Sequence, residues 1–232
     1  MKDINLVQFL EYVESQNTYE NMDDIRNVTI SAIYKQIENL HISTILSKQL
    51  TDINFLKRNI SNEIEQDYVA DIIYNFEGFM KDAFFIRFFM IVENHINQIV
   101  EFYEKSNEKT KHDTAISKTF EKLTNPENNN FFINLSESEK TLFEFYCYVR
   151  NTIHKIGFQS KDNKSLIIYD KNSIIQKSEI KIELIKGASN NLSMKSILLI
   201  KEQIFKLIIK INSKLPKEDF IEHILVQNGY NK

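Results

Sequence analysis

The sequence predicts a mainly α-helical bundle with one small β-hairpin before the last long helix. Only four glycines and two prolines occur in 232 residues, which is too few for a turn-rich β fold. Apolar residues recur every three to four positions over long stretches, as they do in helices that pack on a core. Seventeen Phe, ten Tyr and a hydrophobic fraction of 42% can fill that core, so we expect a folded globular protein.

The same periodicity predicts the order of the elements. We expect helices over residues 3–16, 22–63 with a break near 41–43, 68–102, 114–124, 138–156 and 193–214. Ser136 or Ser138 can cap the fifth of these, and Pro216 ends the last. Alternating apolar residues within 164–186 predict a hairpin or three short strands. We divide the chain into an N-terminal helical extension, 1–63, packed on the core, and a helical domain, 64–232.

Composition also narrows the compartment and the class of site. The single cysteine, Cys147, excludes an internal disulfide and multi-cysteine metal sites, and it suits a reducing cytosol. We expect it to be a buried small hydrophobe. The most apolar run, 83–92, contains Arg87 and is about half of the ~20 residues that a membrane span needs. We therefore expect a cytoplasmic protein without membrane contact.

Charge is distributed unevenly along the chain, although the net charge is only −3. Residues 1–149 hold 14 basic and 24 acidic residues, whereas residues 150–217 hold 14 basic and five acidic residues. A basic block indicates an anionic partner. The alternative is a solvated lysine-rich face whose asymmetry does not survive folding.

The basic block begins with the three best candidates for catalytic residues, Arg150, Asn151 and His154. Residues four apart on a helix differ by only about 40° around its axis, so Arg150 and His154 share a face. That face borders the apolar stripe of the helix 138–156, which places the pair at a cleft or interface. A guanidinium can hold a phosphate and an imidazole can move a proton near neutral pH. Together they could cleave RNA without a metal.

This motif, the hairpin after it and the long closing helix resemble the HEPN superfamily over about residues 65–215. The resemblance implies a HEPN-like antiparallel bundle and a metal-independent endoribonuclease, a toxin or phage-defence effector. It implies a homodimer in which two motifs face each other across one cleft. His154 would be the general acid or base, Arg150 the phosphate clamp, and Asn151 would orient the phosphate or pair across the dimer. Three residues separate Arg150 from His154, whereas four to six are usual in that superfamily.

Further residues are expected to support the site. Glu93 falls among apolar neighbours on an aromatic-rich helix, where a carboxylate needs a partner, and Arg150 is the candidate. Lys155, Lys161 and Lys164 are weaker candidates for RNA contact. No metal or other cofactor is expected, and an antitoxin or another defence-system protein is a candidate partner.

Other interpretations stay open at this point. An Arg–His pair at such spacing arises by chance in roughly one chain in three of this composition, so the motif alone decides little. Arg150 could only pair with Glu93 to fix helix packing, while His154 caps its helix. The chain could also be a non-catalytic HEPN-like interaction or regulatory module that binds a protein partner or nucleotide, or an unrelated helical scaffold.

Overall fold

The computed structural model describes residues 5–104, 115–125, 132–154, 159, 162–189 and 192–223. The helices in these ranges are α1 (Leu6–Ser15), α2 (Ile25–Leu46), α3 (Ile53–Asn59), α4 (Val69–Glu104), α5 (Ile116–Thr124), α6 (Glu137–His154) and α7 (Met194–Asn212). Strands β1 (Lys164–Ile168) and β2 (Ile180–Leu184) pair antiparallel, with Lys164 opposite Leu184. The predicted mainly helical architecture with a small hairpin is confirmed. No helix of the described ranges is long and apolar enough to cross a membrane.

The second predicted helix is broken, but the predicted position of the break, residues 41–43, was wrong. α2 continues through residues 41–43 to Leu46, where a 3₁₀ turn, Ser47–Thr51, begins. Residues 41–43 include neither Gly nor Pro, so nothing there forces the helix to end. A second helix start follows at Asp52, whose side chain accepts a hydrogen bond from the backbone of Asn54 and caps α3.

One hydrophobic core is shared by every helix except α3, and α7 lies at its centre. Residues 197–202 of α7 are all buried, and six consecutive helical residues point in every direction around the axis. This part of α7 is therefore covered on all sides by the rest of the chain. α1 and the first half of α2 contribute Phe9, Ile30 and Ile33 to the same core as the α4 phenylalanines.

A buried lysine joins the three central helices. Lys201 of α7 is fully buried, and its Nζ donates a hydrogen bond of 3.0 Å to the carbonyl oxygen of Phe85. Its Nζ lies 4.0 Å and 4.2 Å from the ring centroids of Phe85 and Phe88 on α4, and 5.2 Å from that of Tyr146 on α6. Burial lowers the pKa of Lys201 well below its usual value because the ammonium loses its water. The ring faces recover part of that loss.

Its neighbour in sequence, Glu202, is also fully buried but points to the hairpin side. Its carboxylate accepts hydrogen bonds from the Ser173 hydroxyl at 2.6 Å and from the backbone N–H of Ile174 at 2.8 Å. Lys206 pairs with Glu202 at 2.9 Å and with Asp170 at 2.6 Å. These contacts fasten the connection between β1 and β2 to α7.

A buried ion pair fastens the segment after α7, residues 213–223, to the start of α2. The Arg26 guanidinium donates to both carboxylate oxygens of Asp24, at 2.8 Å and 2.7 Å. The same guanidinium donates to the carbonyl oxygens of Pro216 and Asp219, at 3.3 Å and 2.6 Å. Both partners of the pair are buried, so the hydrogen bonds must replace the water that they lose.

The buried amine of Lys201 predicts a dependence of stability on pH. Lys201→Met should be at least as stable as the wild type at pH 7, because methionine fills the site without an amine to deprotonate. Lys201→Ala should cost about 2–5 kcal/mol through the cavity that it leaves. At pH values between the lowered pKa of Lys201 in the folded protein and about 10.4, the Lys201 amine is protonated in the unfolded state and not in the folded state. Wild-type stability should therefore rise relative to the Met variant as pH rises, by up to about 1.4 kcal/mol per unit.

Urea unfolding of both proteins from pH 7 to pH 10 measures this difference, and the Met variant cancels the contribution of every other titrating group. A constant difference across that range would show that Lys201 keeps its proton in the folded protein.

Removing one partner of the Asp24–Arg26 pair should lower the free energy of unfolding. Arg26→Met leaves a buried carboxylate without its cation and two carbonyl groups without donors, which should cost about 3–5 kcal/mol. Chemical unfolding measures the loss. The matched control is Arg87→Met on the exposed side of α4, which should change stability by no more than about 0.5 kcal/mol. Equal effects of the two substitutions would contradict the role given to Arg26.

Candidate functional site

The helix that holds the candidate motif is fixed at its first turn by a capping box. The Ser136 hydroxyl accepts from the Glu139 backbone at 3.3 Å, and the Glu139 carboxylate accepts from the Ser136 backbone at 2.8 Å. This confirms the predicted cap at Ser136. Lys210 of α7 donates to the same carboxylate at 2.6 Å, so the start of α6 is tied to the central helix.

The buried face of α6 sets the direction in which Arg150 points. Tyr146 and Val149 are completely buried, and the Tyr146 ring packs against Phe85 and Phe89 of α4 at 5.1 Å and 5.0 Å between centroids. Arg150 follows one turn after Tyr146 and is half-buried. Its guanidinium carbon lies 5.5 Å from the centroid of the Phe89 ring, so the aromatic core supports its inner side.

The outer side of the Arg150 guanidinium contacts Asn151. Nη1 of Arg150 donates to the Asn151 side-chain oxygen at 3.3 Å, and Asn151 is exposed. Within the described part of the chain, Arg150 forms no ion pair with a carboxylate. The structure thus brings together two of the three residues of the predicted motif and leaves the arginine's charge available to a ligand.

The charges of Glu93 and Arg150 have opposite effects on the pKa of the Cys147 thiol. The pKa of Cys147 is raised to about 12, mostly by burial and next by the charge of Glu93, while Arg150 lowers it and Glu144 raises it. The expected ion pair between Glu93 and Arg150 is not formed, since no hydrogen bond or ion pair joins these two described residues. Glu93 is half-buried, and its charge acts on the Cys147 thiol.

The lysines expected to bind RNA fall in two groups. Lys164 on β1 donates to the Glu144 carboxylate at 3.2 Å, which raises the pKa of Lys164, and its Nζ lies 4.5 Å from the Tyr148 ring centroid. Its charge is therefore already paired at the surface of α6. Lys155 and Lys161 lie outside the described residues, as does Gly157.

His154 is the last residue of α6, and the structure does not describe its side chain. Its backbone position, four residues after Arg150, lies on the same side of the helix as Arg150. It also lies in the last turn of α6. Among the residues described, no group of three His, Cys, Asp or Glu could hold a metal ion.

The sequence interpretation missed the two aromatic residues that border the motif, Phe89 and Tyr148. The contact of Phe89 with Arg150 could not be predicted, because no spacing rule links a residue on α4 to one on α6. Tyr148 could have been found, since it precedes Thr152 by four residues and Asn151 by three on the same helix. The Tyr148 ring lies against the Lys164 ammonium, with its centroid 4.5 Å from Nζ, one turn before Asn151 on α6.

Comparisons with protein-family models, with curated proteins and with solved structures give no match to this chain. The function must therefore be argued from the site itself.

The environment of Cys147 predicts slow thiol chemistry. Because the thiolate is the reactive form, the folded protein should react with a disulfide reagent at pH 8 roughly 100-fold or more slowly than the unfolded chain. Glu93→Gln removes a negative charge near the sulfur and should speed the reaction, whereas Arg150→Met should slow it. Stopped-flow measurement of thiol release tests the series. Identical rates for the two variants would contradict the placement of Glu93 and Arg150 around Cys147.

Proposed function

We propose that this protein is a HEPN-like, metal-independent endoribonuclease that acts as a homodimer. The observation that supports it is the state of Arg150: a half-buried guanidinium, held over Phe89 and by Asn151, without a carboxylate partner among the described residues. An arginine that only fixes packing would be expected to pair with Glu93, and it does not. A planar guanidinium with free N–H donors suits a phosphate.

The proposed reaction is an internal transesterification of RNA. A base, assigned to His154 of one or the other protomer, takes the proton of the ribose 2′-hydroxyl, and the oxygen attacks the adjacent phosphorus. The bond to the 5′-oxygen of the next nucleotide breaks, and that oxygen takes a proton from an imidazolium. The products are a 2′,3′-cyclic phosphate and a 5′-hydroxyl. Arg150 stabilises the charge that builds on the phosphate oxygens, and Asn151 holds Arg150 at the correct angle.

The homodimer follows from the number of groups that this reaction needs. One His per motif can serve as base or as acid at a given moment, so two motifs across a two-fold axis supply both roles. The exposed Asn151 is on the side of α6 where a second copy could approach. The cellular setting that fits is a toxin or a phage-defence effector with a protein that restrains it.

A second candidate is a non-catalytic module that binds a nucleotide or a protein partner through the same residues. One observation favours it: the carboxylates of Glu93 and Glu144, like the guanidinium of Arg150, lie close enough to Cys147 to shift the pKa of its thiol. Negative charge there opposes the approach of a long polyanion but leaves a single phosphate or carboxylate able to reach Arg150.

Cleavage of labelled single-stranded RNA in the presence of a chelator tests the proposal. Arg150→Ala and His154→Ala should each lower the rate by roughly 10²–10³-fold, the size expected for a lost phosphate donor or a lost proton carrier. The matched controls are Arg87→Ala, at an exposed position of α4, and His41→Ala on α2, which should keep wild-type rates. Cleavage at equal rates by all five proteins would identify a contaminating nuclease and sink the proposal. Saturable RNA or nucleotide binding through Arg150 without cleavage would favour the second candidate.

A further inference from the structure

A long helical arm extends beyond the core. The arm, residues 42–79, comprises the end of α2, the 3₁₀ turn Ser47–Thr51, α3 and the first turns of α4. Only Leu56 and Val69 are buried within it. α4 alone has 36 residues and a length of about 54 Å, and its core contacts begin near Met80. The arm therefore gains little stability from packing on the rest of the chain.

The surface of the arm is unusually apolar. Large apolar side chains that are 48% to 76% exposed occur along its whole length: Ile42, Ile45, Leu46, Ile60, Tyr68, Tyr74 and Phe79. Ile42, Ile45 and Leu46 lie at i, i+3 and i+4 and form one stripe on α2. Seven large exposed apolar side chains within 38 residues are a concentration of the kind that marks an interaction site.

The charges of the arm are separated by sign. The 3₁₀ turn and α3 hold three cations, Lys48, Lys57 and Arg58, and the following stretch holds five carboxylates without a cation, Glu63, Glu65, Asp67, Asp71 and Glu77. All eight are exposed, and none forms an ion pair with another described residue. Opposite charges that remain unpaired on one surface can pair with the same surface of a second molecule.

We propose that the arm is an interface for a second copy of this chain. A two-fold axis at the arm places α3 of one copy against the acidic start of α4 of the other, and the reverse contact forms at the same time. A two-fold interface requires a patch that is complementary to itself, and an arm with a basic part, an acidic part and apolar side chains meets that requirement. With Asp52 included, six carboxylates face three cations, which disfavours RNA and anionic lipid as occupants.

This contact is separate from the candidate ribonuclease site. Ten residues of α4, or about 15 Å of helix, separate Phe79 at the base of the arm from Phe89 beneath Arg150, and the charged residues of the arm except Glu77 lie at least eighteen residues from Phe89 along the chain. The inference therefore stands whether or not the chain cleaves RNA. Two independent two-fold contacts in one protein would give a closed tetramer of dihedral symmetry.

The test measures the mass of the full chain by light scattering and sedimentation. Two charge-reversed variants are compared, Lys57→Glu with Arg58→Glu, and Glu65→Lys with Asp67→Lys. Each alone should halve the mass of the wild-type assembly, because like charges then meet at the arm, and an equimolar mixture should restore it. Because all four positions are exposed, unchanged circular dichroism is expected and serves as the folding control.

A matched pair tests the apolar part. Ile45→Asp in the arm should halve the mass, whereas Val7→Asp on α1 should leave it unchanged, although the two side chains are equally exposed at 50% and 47%. A wild-type protein that stays monomeric, charge variants with wild-type mass, or a mixture that fails to reassemble would each overturn the proposal. A monomer that binds a basic amphipathic peptide through the arm would assign the surface to a different partner.

Discussion

The contact on which the rest of the structure depends is the one between Lys201 and the aromatic rings around it. It joins α7, α4 and α6 at one point, through the Phe85 carbonyl group and the rings of Phe85, Phe88 and Tyr146. A buried amine tolerates few arrangements, because every polar hydrogen that lacks a partner costs free energy. The buried amine lowers stability, but it fixes the angle between the three helices more strongly than a uniformly apolar contact would.

The same aromatic rings also fix the position of the candidate site. Tyr146 contacts Lys201 on one side and Phe89 on the other, and Phe89 supports Arg150. Two cations thus lie at the two ends of one aromatic cluster, one inside the core and one at its surface. The inner amine loses its charge readily because burial lowers its pKa, whereas a guanidinium does not deprotonate. The charge at the surface end therefore persists, and the rings that hold it are themselves held in place.

The helices, the hairpin and the cap at Ser136 could be predicted because each depends on neighbours in the sequence. Lys201 and Glu202 could not be placed. Lys and Glu are rarely buried completely, but α7 is covered on all sides, so Lys201 is buried with a partner on α4 and Glu202 with partners in the connection between β1 and β2. For the candidate site, the placement of positions 150 and 154 on one side of α6 was predictable from helical spacing. Phe89 under the guanidinium was not, because it depends on how α4 crosses α6.

The basic block shows why charge in a sequence is a poor guide to charge on a surface. Within 164–217, folding pairs four lysines with carboxylates, Lys164, Lys181, Lys206 and Lys210, and buries Lys201. These charges hold helices and strands together and do not form a broad positive surface. Pairing and burial take five of the block's positive charges away from the long-range attraction of a polyanion, which is the part of nucleic-acid binding that ignores sequence. Close contacts at Arg150 and Asn151 then carry a larger share of recognition at this site.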